Sequence, residues 1–158
     1  MINLIAACGT NGVMGKDGRL PWNIPKDWEY FLETTRNGTL IMGRRCFAEM
    51  GSHVLDRKVI ALSRNPDMEF TGAEKASSLQ EALKMSHGET IWICGGQKIY
   101  EESMPIAERL YLTLIGSDFD GDVRFPAWEE IFSKEISRKK CVDSGYQLTF
   151  LILGRGKQ

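Results

Sequence analysis

Cysteine and histidine are scarce in this chain, and their scarcity excludes several kinds of active site. The 158 residues include four cysteines, at positions 8, 46, 94 and 141, and no two of them form a Cys-x-x-Cys pair. The sequence therefore contains neither a zinc ribbon nor a redox dithiol motif, and we expect free thiols in a reducing, cytoplasmic location. The two histidines, His53 and His87, are too few for a His-rich metal site and argue against a Ser-His-Asp triad.

Long apolar runs and an excess of one charge are also missing. No run approaches the roughly 20 residues of a membrane helix, and residues 2–8 are too short for a signal peptide. The 20 basic residues nearly balance 21 acidic ones, for a formal charge of −1, which argues against a general nucleic-acid or membrane surface. The length predicts a single domain over residues 1–158, and 42% hydrophobic residues suffice for its core.

Short apolar segments alternate with segments of helical period along most of the chain. Buried strands are predicted over residues 3–8, 39–42, 58–63 and 90–94. Helices are predicted over residues 25–36, 44–50, 78–85 and 97–104. This alternation is typical of a mostly parallel sheet with helices on both faces. Three later strands, over residues 109–115, 131–139 and 147–153, lack a helix of typical length between the last two, which predicts an antiparallel C-terminal edge strand.

Glycine, serine and basic residues follow three of the predicted strands. The segments are Met42-Gly43-Arg44-Arg45, Leu62-Ser63-Arg64 and Cys94-Gly95-Gly96-Gln97-Lys98. Ligands of open α/β sheets bind beyond the carboxyl ends of the strands. Taken alone, a glycine pair before a helix is more often a turn that allows close packing than a phosphate-binding loop. A single arginine is more often a solvent-exposed charge than an anion ligand. Together, however, four basic side chains at neighbouring strand ends predict an anion site in a nearly neutral protein.

The type of dinucleotide that would fit this site follows from what the strand ends carry. No Gly-x-Gly-x-x-Gly motif precedes an acidic residue about 20 positions later, so the fingerprint of NAD-binding Rossmann domains is absent. Arginine and serine stand where a ribose-binding carboxylate would be expected. If the ligand is a dinucleotide, these residues favour a 2′-phosphate and hence NADPH.

Asp27 stands apart from the other charged residues of the first predicted helix. At about 100° per residue, Lys26, Glu29 and Glu33 fall on one arc, and Asp27 lies at the edge of the opposite, apolar arc beside Phe31. One interpretation is an aspartate that complements the helix dipole in the first turn. The other is a carboxylate that faces a cleft, where it needs a partner such as a heterocycle with two adjacent N–H donors.

The loop before this helix has glycine at every third position, namely Gly9, Gly12, Gly15 and Gly18. Such a loop is either a surface hairpin or a flexible lid next to a site. It ends at Asn23-Ile24-Pro25, which predicts the start of the helix with Asn23 as the capping residue and proline in the first turn.

Motifs along essentially the whole chain resemble those of bacterial dihydrofolate reductase. The most specific is L-P-W-x-x-P-x-D, which begins at Leu20 and ends at Asp27. The others follow in the family's order: Ile5-Ala6-Ala7, Phe31, Ile41-Met42-Gly43-Arg44, Arg57-Lys58, Leu62-Ser63-Arg64, Gly95-Gly96 with Tyr100, Leu110-Tyr111-Leu112-Thr113, and Gly121-Asp122 with Phe125-Pro126. The resemblance implies a three-layer, single-domain α/β fold with an eight-stranded, mostly parallel sheet. It also implies a cytoplasmic monomer that reduces 7,8-dihydrofolate with NADPH and is inhibited by antifolates.

The resemblance implies catalytic roles for Asp27, Trp22 and Leu20. Asp27 would hold the pterin by N3 and the 2-amino group and, with an ordered water near Trp22, promote protonation at N5, while hydride passes from nicotinamide C4 to pterin C6. Thr113 would support the carboxylate, and Arg57 would pair with the glutamate α-carboxylate of the substrate. The implied substrate-binding residues are Ile5, Ala7, Asp27, Trp28, Phe31, Met50, Val54, Arg57, Cys94, Tyr100 and Thr113.

On the cofactor side the resemblance implies phosphate contacts and a close backbone approach. Arg44, Ser63, Arg64 and Lys98 would meet phosphates, and Gly95-Gly96 is joined by a cis peptide bond in this family. The lid corresponds to residues 9–23 and packs against the loop around Gly121 and Asp122. The implied cofactor-binding residues are Ala7, Met14, Gly15, Gly43, Arg44, Arg45, Cys46, Leu62, Ser63, Arg64, Cys94, Gly95, Gly96, Gln97, Lys98, Ile99 and Tyr100. No metal is implied.

Some positions depart from the commonest bacterial pattern. Cys46 stands where threonine is usual, Cys94 where an aliphatic residue is usual, and Trp28 where leucine or another apolar residue lines the folate tail. His53-Val54-Leu55 replaces a Pro-Leu-Pro segment. None of these changes removes a catalytic group.

Two other functions remain open at the level of sequence. One is a related NADPH-dependent reductase of another pterin or of a pyrimidine, against which Asp27 together with Arg57 argues. The other is a noncatalytic nucleotide-binding module, against which the intact set of Asp27, Trp22 and Thr113 argues.

Overall fold

The computed structural model describes residues 1–16, 20–86 and 90–156. His87 and residues 17–19 of the predicted lid lie outside these ranges. The strands are β1 (Ile2–Gly9), β2 (Val13–Gly15), β3 (Thr39–Gly43), β4 (Val59–Leu62), β5 (Glu74–Ala76), β6 (Ile91–Ile93), β7 (Arg109–Ile115), β8 (Val123–Arg124), β9 (Lys134–Asp143) and β10 (Tyr146–Gly154). The helices are α1 (Pro25–Thr34), α2 (Arg44–Met50), a 3-10 helix (Gly51–His53), α3 (Leu79–Lys84) and α4 (Gln97–Ser103).

Eight strands form the main sheet in the order β5-β4-β3-β6-β1-β7-β10-β9. All neighbours pair in parallel except those of β10, which is antiparallel to both β7 and β9. The predicted eight-stranded, mostly parallel sheet with an antiparallel C-terminal strand is therefore confirmed.

The position of that antiparallel strand differs from the prediction in one respect. β10 is the penultimate strand, and β9 forms the edge. The reason is side-chain polarity, because β9 is rich in charged residues and mostly exposed, as edge strands are, whereas β10 is largely apolar and buried or half-buried. Ser144 and Gly145, with positive φ of 54° and 81°, form the two-residue turn between them. This turn folds β9 back along the outer side of β10.

The sheet is buried on both faces, so neighbouring residues of one strand enter different halves of the core. Leu4 and Ile41 belong to one apolar cluster, whereas Ile5, Leu40 and Met42 belong to the other. All five are at most 5% exposed. Burial on both faces explains why these strands are continuously apolar rather than alternating, and it gives the three-layer architecture.

Most predicted elements are found close to their predicted bounds, and α2 and β7 match them at both ends. The start of α1 is corrected, because its capping position is Ile24 and not Asn23. Proline fixes φ at the first helical position, and Pro25 therefore places the cap at the residue directly before it. The aliphatic Ile24 side chain makes no capping hydrogen bond.

Among the described residues no helix has the length and apolar character required to cross a membrane.

Candidate active site

A cleft with a volume of about 1270 Å³ opens where β1, β3, β4 and β6 end. Every residue predicted to bind substrate or cofactor, or to catalyse, lines this cleft except Trp22, Val54 and Arg57. Residues far apart in sequence meet here because the carboxyl ends of parallel strands share one edge of the sheet.

Asp27 lies in the first turn of α1 and faces the cleft. Burial raises its pKa from the ordinary value of 3.8 to about 6, and a hydrogen bond with the Thr113 side chain acts in the opposite direction. Thr113 is buried on β7, in register with Ala7 of β1, so the hydroxyl is held by the centre of the sheet. A carboxyl group with this pKa is partly protonated near neutral pH and can both accept hydrogen bonds and support proton transfer.

An aromatic wall stands next to Asp27 on the same helix. Trp28 and Phe31 stack with ring centroids 5.3 Å apart, and the His53 ring meets Trp28 edge-on at 5.9 Å. Met50 lines the same part of the cleft. Val54 is fully buried in the apolar cluster that these residues pack against, so it lies behind the wall. The wall offers a flat apolar surface suited to an aromatic ligand.

Trp22 lies beside the cleft rather than in its lining. Its ring is 8% exposed and packs against Phe119 with centroids 5.0 Å apart. The indole Nε1 is buried and has no hydrogen-bond partner among the described residues. A buried N–H group normally has a partner in the protein or in ordered water, so this donor fits the water expected near Trp22.

Arg57 is held beneath the C-terminal end of α1. Its Nη1 donates to the Leu32 carbonyl and to the Thr35 hydroxyl, both at 2.9 Å, and its Nε donates to Asp56 at 3.1 Å. The side chain is only 8% exposed. The guanidinium is therefore fixed by the protein, next to the wall of the cleft but outside its lining.

Four basic side chains line the opposite side of the cleft. Arg44, Arg45, Arg64 and Lys98 are all exposed, and none forms an ion pair with another residue of the described ranges. Together with the Ser63 hydroxyl they form a group of hydrogen-bond donors whose positive charge is not neutralised by acidic side chains of the described ranges. Such a set fits the phosphates of NADPH, including a 2′-phosphate.

Glycines between these basic residues leave the backbone open. Gly95 and Gly96 are joined by a cis peptide bond, as in the family that the sequence resembles, and Gly95 has φ of 122°. The Gly95 carbonyl accepts a 2.8 Å hydrogen bond from the Gly43 N–H, which links the ends of β3 and β6. A Cβ at Gly96 would meet no protein atom within 4 Å, so a ligand can approach the backbone there.

Two cysteines and one tyrosine separate the two sides of the cleft. Cys46 donates to the Cys94 carbonyl at 3.4 Å, and the Tyr100 hydroxyl donates to the Ile5 carbonyl at 2.7 Å. Burial raises the pKa of Cys46 to about 12 and raises that of Cys94 as well. Both thiols are therefore neutral and poor nucleophiles at neutral pH.

The described part of the predicted lid makes contacts across the cleft mouth. The Leu20 N–H donates to Glu49 on α2 at 2.9 Å, and the Asp122 N–H donates to the Gly15 carbonyl at 3.1 Å. A Cβ at Gly121 would overlap the Gly15 carbonyl oxygen, so glycine is needed for this close approach. The predicted packing between the lid and this loop is thus present in the structure.

Several residues that sequence reasoning missed also line the cleft, among them Tyr30, Glu49, Ser77, Ser78 and Gln80. Ser78 accepts a hydrogen bond from the Glu81 N–H and caps α3. The serine and the glutamate three positions later are a recognisable capping signal, but that signal does not show that the helix starts at the cleft. No group of three or more potential metal-binding side chains occurs among residues 1–16, 20–86 and 90–156.

Comparisons with known proteins agree with one another. A family model described as dihydrofolate reductase matches residues 1–155. The chain is 38% identical to a dihydrofolate reductase of Bacillus subtilis (strain 168), over 89% of this chain and 84% of that protein. It is 35% identical to a dihydrofolate reductase of Haemophilus influenzae, over 97% and 98% of the two chains. A solved dihydrofolate reductase from Enterococcus faecalis, complexed with NADP(H) and RAB-propyl, superposes with a TM-score of 0.88 at 30% identity, covering 99% of this chain and 97% of that one.

Proposed function

This chain belongs to the dihydrofolate reductase family, and we propose that its cleft converts 7,8-dihydrofolate, NADPH and a proton into 5,6,7,8-tetrahydrofolate and NADP⁺, a product for one-carbon metabolism. The observation that carries the proposal is Asp27, a carboxyl group with a raised pKa between an aromatic wall and Thr113. A two-donor heterocyclic edge is the partner that such a carboxylate requires.

Asp27 binds the pterin and holds the proton that the reaction consumes. Its two oxygens accept hydrogen bonds from N3 and the 2-amino group. The raised pKa, about 6, keeps a fraction of the carboxyl protonated at neutral pH, which supports protonation at N5 through a water that Trp22 Nε1 orients. Leu20, 46% exposed at the cleft mouth, covers this position and limits the entry of further water.

The remainder of the substrate lies along the aromatic wall. Trp28, Phe31 and Met50 contact the aromatic part of the folate tail, and Arg57 receives the α-carboxylate of its glutamate. The hydrogen bonds to Leu32 and Thr35 fix the guanidinium before substrate arrives, so little side-chain entropy is lost on binding.

The other side of the cleft would hold NADPH, which when bound would supply the hydride to pterin C6. Arg44, Ser63, Arg64 and Lys98 would bind its phosphates, and the open backbone at Gly95 and Gly96 would let the dinucleotide approach the end of β6. We place the enzyme in the cytoplasm as a monomer of one domain, without nucleic-acid or membrane partners.

A turnover assay tests this function against its alternatives. The protein is mixed with NADPH and dihydrofolate, and the loss of reduced nicotinamide absorbance is followed. We expect turnover with dihydrofolate and much less with a dihydropterin that lacks the glutamate tail, because only dihydrofolate engages Arg57. Equal turnover of both substrates would favour a reductase of another pterin. Folded protein that binds NADPH without any turnover would contradict the proposal and favour a noncatalytic nucleotide-binding module.

A further inference from the structure

The first turn of α1 is capped by a residue from the other end of the chain. Pro25 has no N–H group, and the Asp27 N–H bonds to the Ile24 carbonyl at 3.1 Å. Between them, the Lys26 N–H has no carbonyl acceptor in the helix, and it donates to the Asp143 carboxylate at 2.9 Å, across 117 residues of sequence. Asp143 therefore supplies the side-chain cap that Ile24 does not provide.

A tight turn follows Asp143 directly in the chain. Asp143 is the last residue of β9 and is in register with Tyr146, the first residue of β10. Only Ser144 and Gly145 separate them, both with positive φ, which defines a tight two-residue turn. We call β9, this turn and β10 the C-terminal hairpin.

The C-terminal hairpin also contacts the site at two other points. Phe150 packs against Tyr30 of α1 with ring centroids 4.3 Å apart. Tyr146 packs against Phe119 at 5.6 Å, and Phe119 in turn packs against Trp22 at 5.0 Å. The same hairpin thus contacts the helix that carries Asp27 and the aromatic pair that contains Trp22.

We propose that Asp143 is a positioning residue for Asp27, since its carboxylate fixes the first turn of α1 and thereby the direction in which the Asp27 carboxyl enters the cleft. The effect is exerted through the backbone, because Lys26 directly precedes Asp27. This inference rests on the proposed function of Asp27.

Loss of the cap has a specific consequence for Asp27. Without an acceptor, the Lys26 N–H must bond to water, so the first turn loosens and water reaches the Asp27 carboxyl more easily. Better hydration favours the ionised form and moves the pKa of Asp27 down towards its ordinary value. The NADPH side of the cleft, built on other elements, is unaffected.

The test compares Asp143→Ala with Asp143→Asn, which keeps an oxygen acceptor without the charge. Glu135→Ala is the matched control, because Glu135 lies on the same strand at its other end and bonds to Arg138 instead of α1. Single-turnover hydride transfer, the dissociation constant for NADPH and the melting temperature are measured for each variant. Carbon-13 NMR of labelled aspartate follows the titration of Asp27, and Asp27→Asn identifies its signal.

For Asp143→Ala we expect hydride transfer to slow by about two- to thirtyfold, the range that the loss of a helix cap allows. The titration midpoint of Asp27 should fall, and NADPH affinity should stay within about twofold. Asp143→Asn should keep a rate near wild type, and Glu135→Ala should change neither rate nor midpoint. A purely structural role would lower the melting temperature and leave the midpoint unchanged.

The proposal is overturned if Asp143→Ala keeps the wild-type rate and midpoint, if Asp143→Asn is as slow as the alanine variant, or if Glu135→Ala has the same effect. Should Asp143→Ala fail to fold, Asp143→Ser takes its place, because the serine oxygen lies one bond nearer the backbone than the Asp143 oxygen that accepts from Lys26. Slow hydride transfer with a lowered Asp27 midpoint supports the proposal, and wild-type values of both contradict it. Failure of the proposed function would be seen separately, as a wild-type protein without turnover. The NMR titration does not depend on turnover.

Discussion

Asp27 should make the folded protein less stable at neutral pH than it would be with an uncharged side chain. Its pKa is about 6 in the fold, against an ordinary value of 3.8. At about 1.36 kcal/mol for each tenfold difference in proton affinity, this corresponds to roughly 3 kcal/mol. Asp27→Asn removes the ionisation and retains a group that can bond to Thr113, so it isolates this effect.

The pH dependence follows from the direction of the change. Because the folded state binds the proton more tightly than the unfolded chain, the Asp27 contribution to stability is fully present below pH 3.8. It is lost as the pH rises through about 6 and stays lost above that. The asparagine variant should therefore match the wild type near pH 4. Near pH 8 it should be more stable by up to about 3 kcal/mol.

Urea unfolding of both proteins without ligand, across this pH range, measures the difference, since bound NADPH would add its own stabilisation. Glu29→Gln is the matched control, because Glu29 lies on the exposed side of the same helix and should show no such pH-dependent gain. In the turnover assay at neutral pH, Asp27→Asn should lower kcat/KM by at least about 10²–10⁴-fold, the usual range for general acid catalysis.

Two results would refute the reasoning. A stability difference between Asp27→Asn and wild type that does not change between pH 4 and pH 8 would mean that Asp27 titrates normally and is not buried as described. Wild-type turnover by Asp27→Asn would mean that the carboxyl is not the proton-holding group, whatever its pKa.

Three further substitutions test other parts of the cleft. Arg57→Lys should raise KM for dihydrofolate about tenfold and leave KM for NADPH nearly unchanged, because the single ammonium nitrogen of lysine lacks the planar fork that can hold Leu32 and Thr35 through one nitrogen and a carboxylate through another; equal effects on the two KM values would show that Arg57 is misassigned. Arg64→Ala should raise KM for NADPH far more than for NADH if it meets the 2′-phosphate, and a parallel rise in both would exclude that contact. Thr113→Val removes the hydrogen bond that lowers the pKa of Asp27, so its NMR midpoint should move above about 6, whereas an unchanged midpoint would mean that this bond is weak.

Local pattern was sufficient to predict most of the fold. β3 is continuously apolar because both of its faces are buried, and α2 begins at Arg44 directly after Gly43. Such signals lie within a few residues of each other. The strands β2 and β8 escaped prediction because each has two or three residues and is defined only by its pairing with the other.

Residue type together with position at a strand end predicted the basic side of the cleft. The basic residues that follow β3, β4 and β6 meet in one cleft, as the parallel sheet requires. The place of Trp22 was not predictable, because its ring is oriented by Phe119, 97 positions later in the chain. The cap on α1 could not be predicted from the sequence either. The residues around Asp143 indicate only that a turn follows it, and its hydrogen bond with the Lys26 N–H exists only in the folded protein.

Two carboxyl groups lie near the N-terminus of α1, and they interact with it differently: Asp27 belongs to its first turn, and Asp143 accepts a hydrogen bond from it. A helix N-terminus stabilises a nearby negative charge by about 0.3–1 kcal/mol in exposed positions and by up to about 2 kcal/mol in partly buried ones, which would lower the pKa of an aspartate in the first turn. Asp27 shows the opposite, a pKa raised to about 6 by burial, equivalent to roughly 3 kcal/mol against the charge. Because the net change is upwards, burial outweighs the helix dipole at Asp27. Asp143 satisfies the free N–H of the helix instead, which leaves the Asp27 carboxyl directed into the cleft.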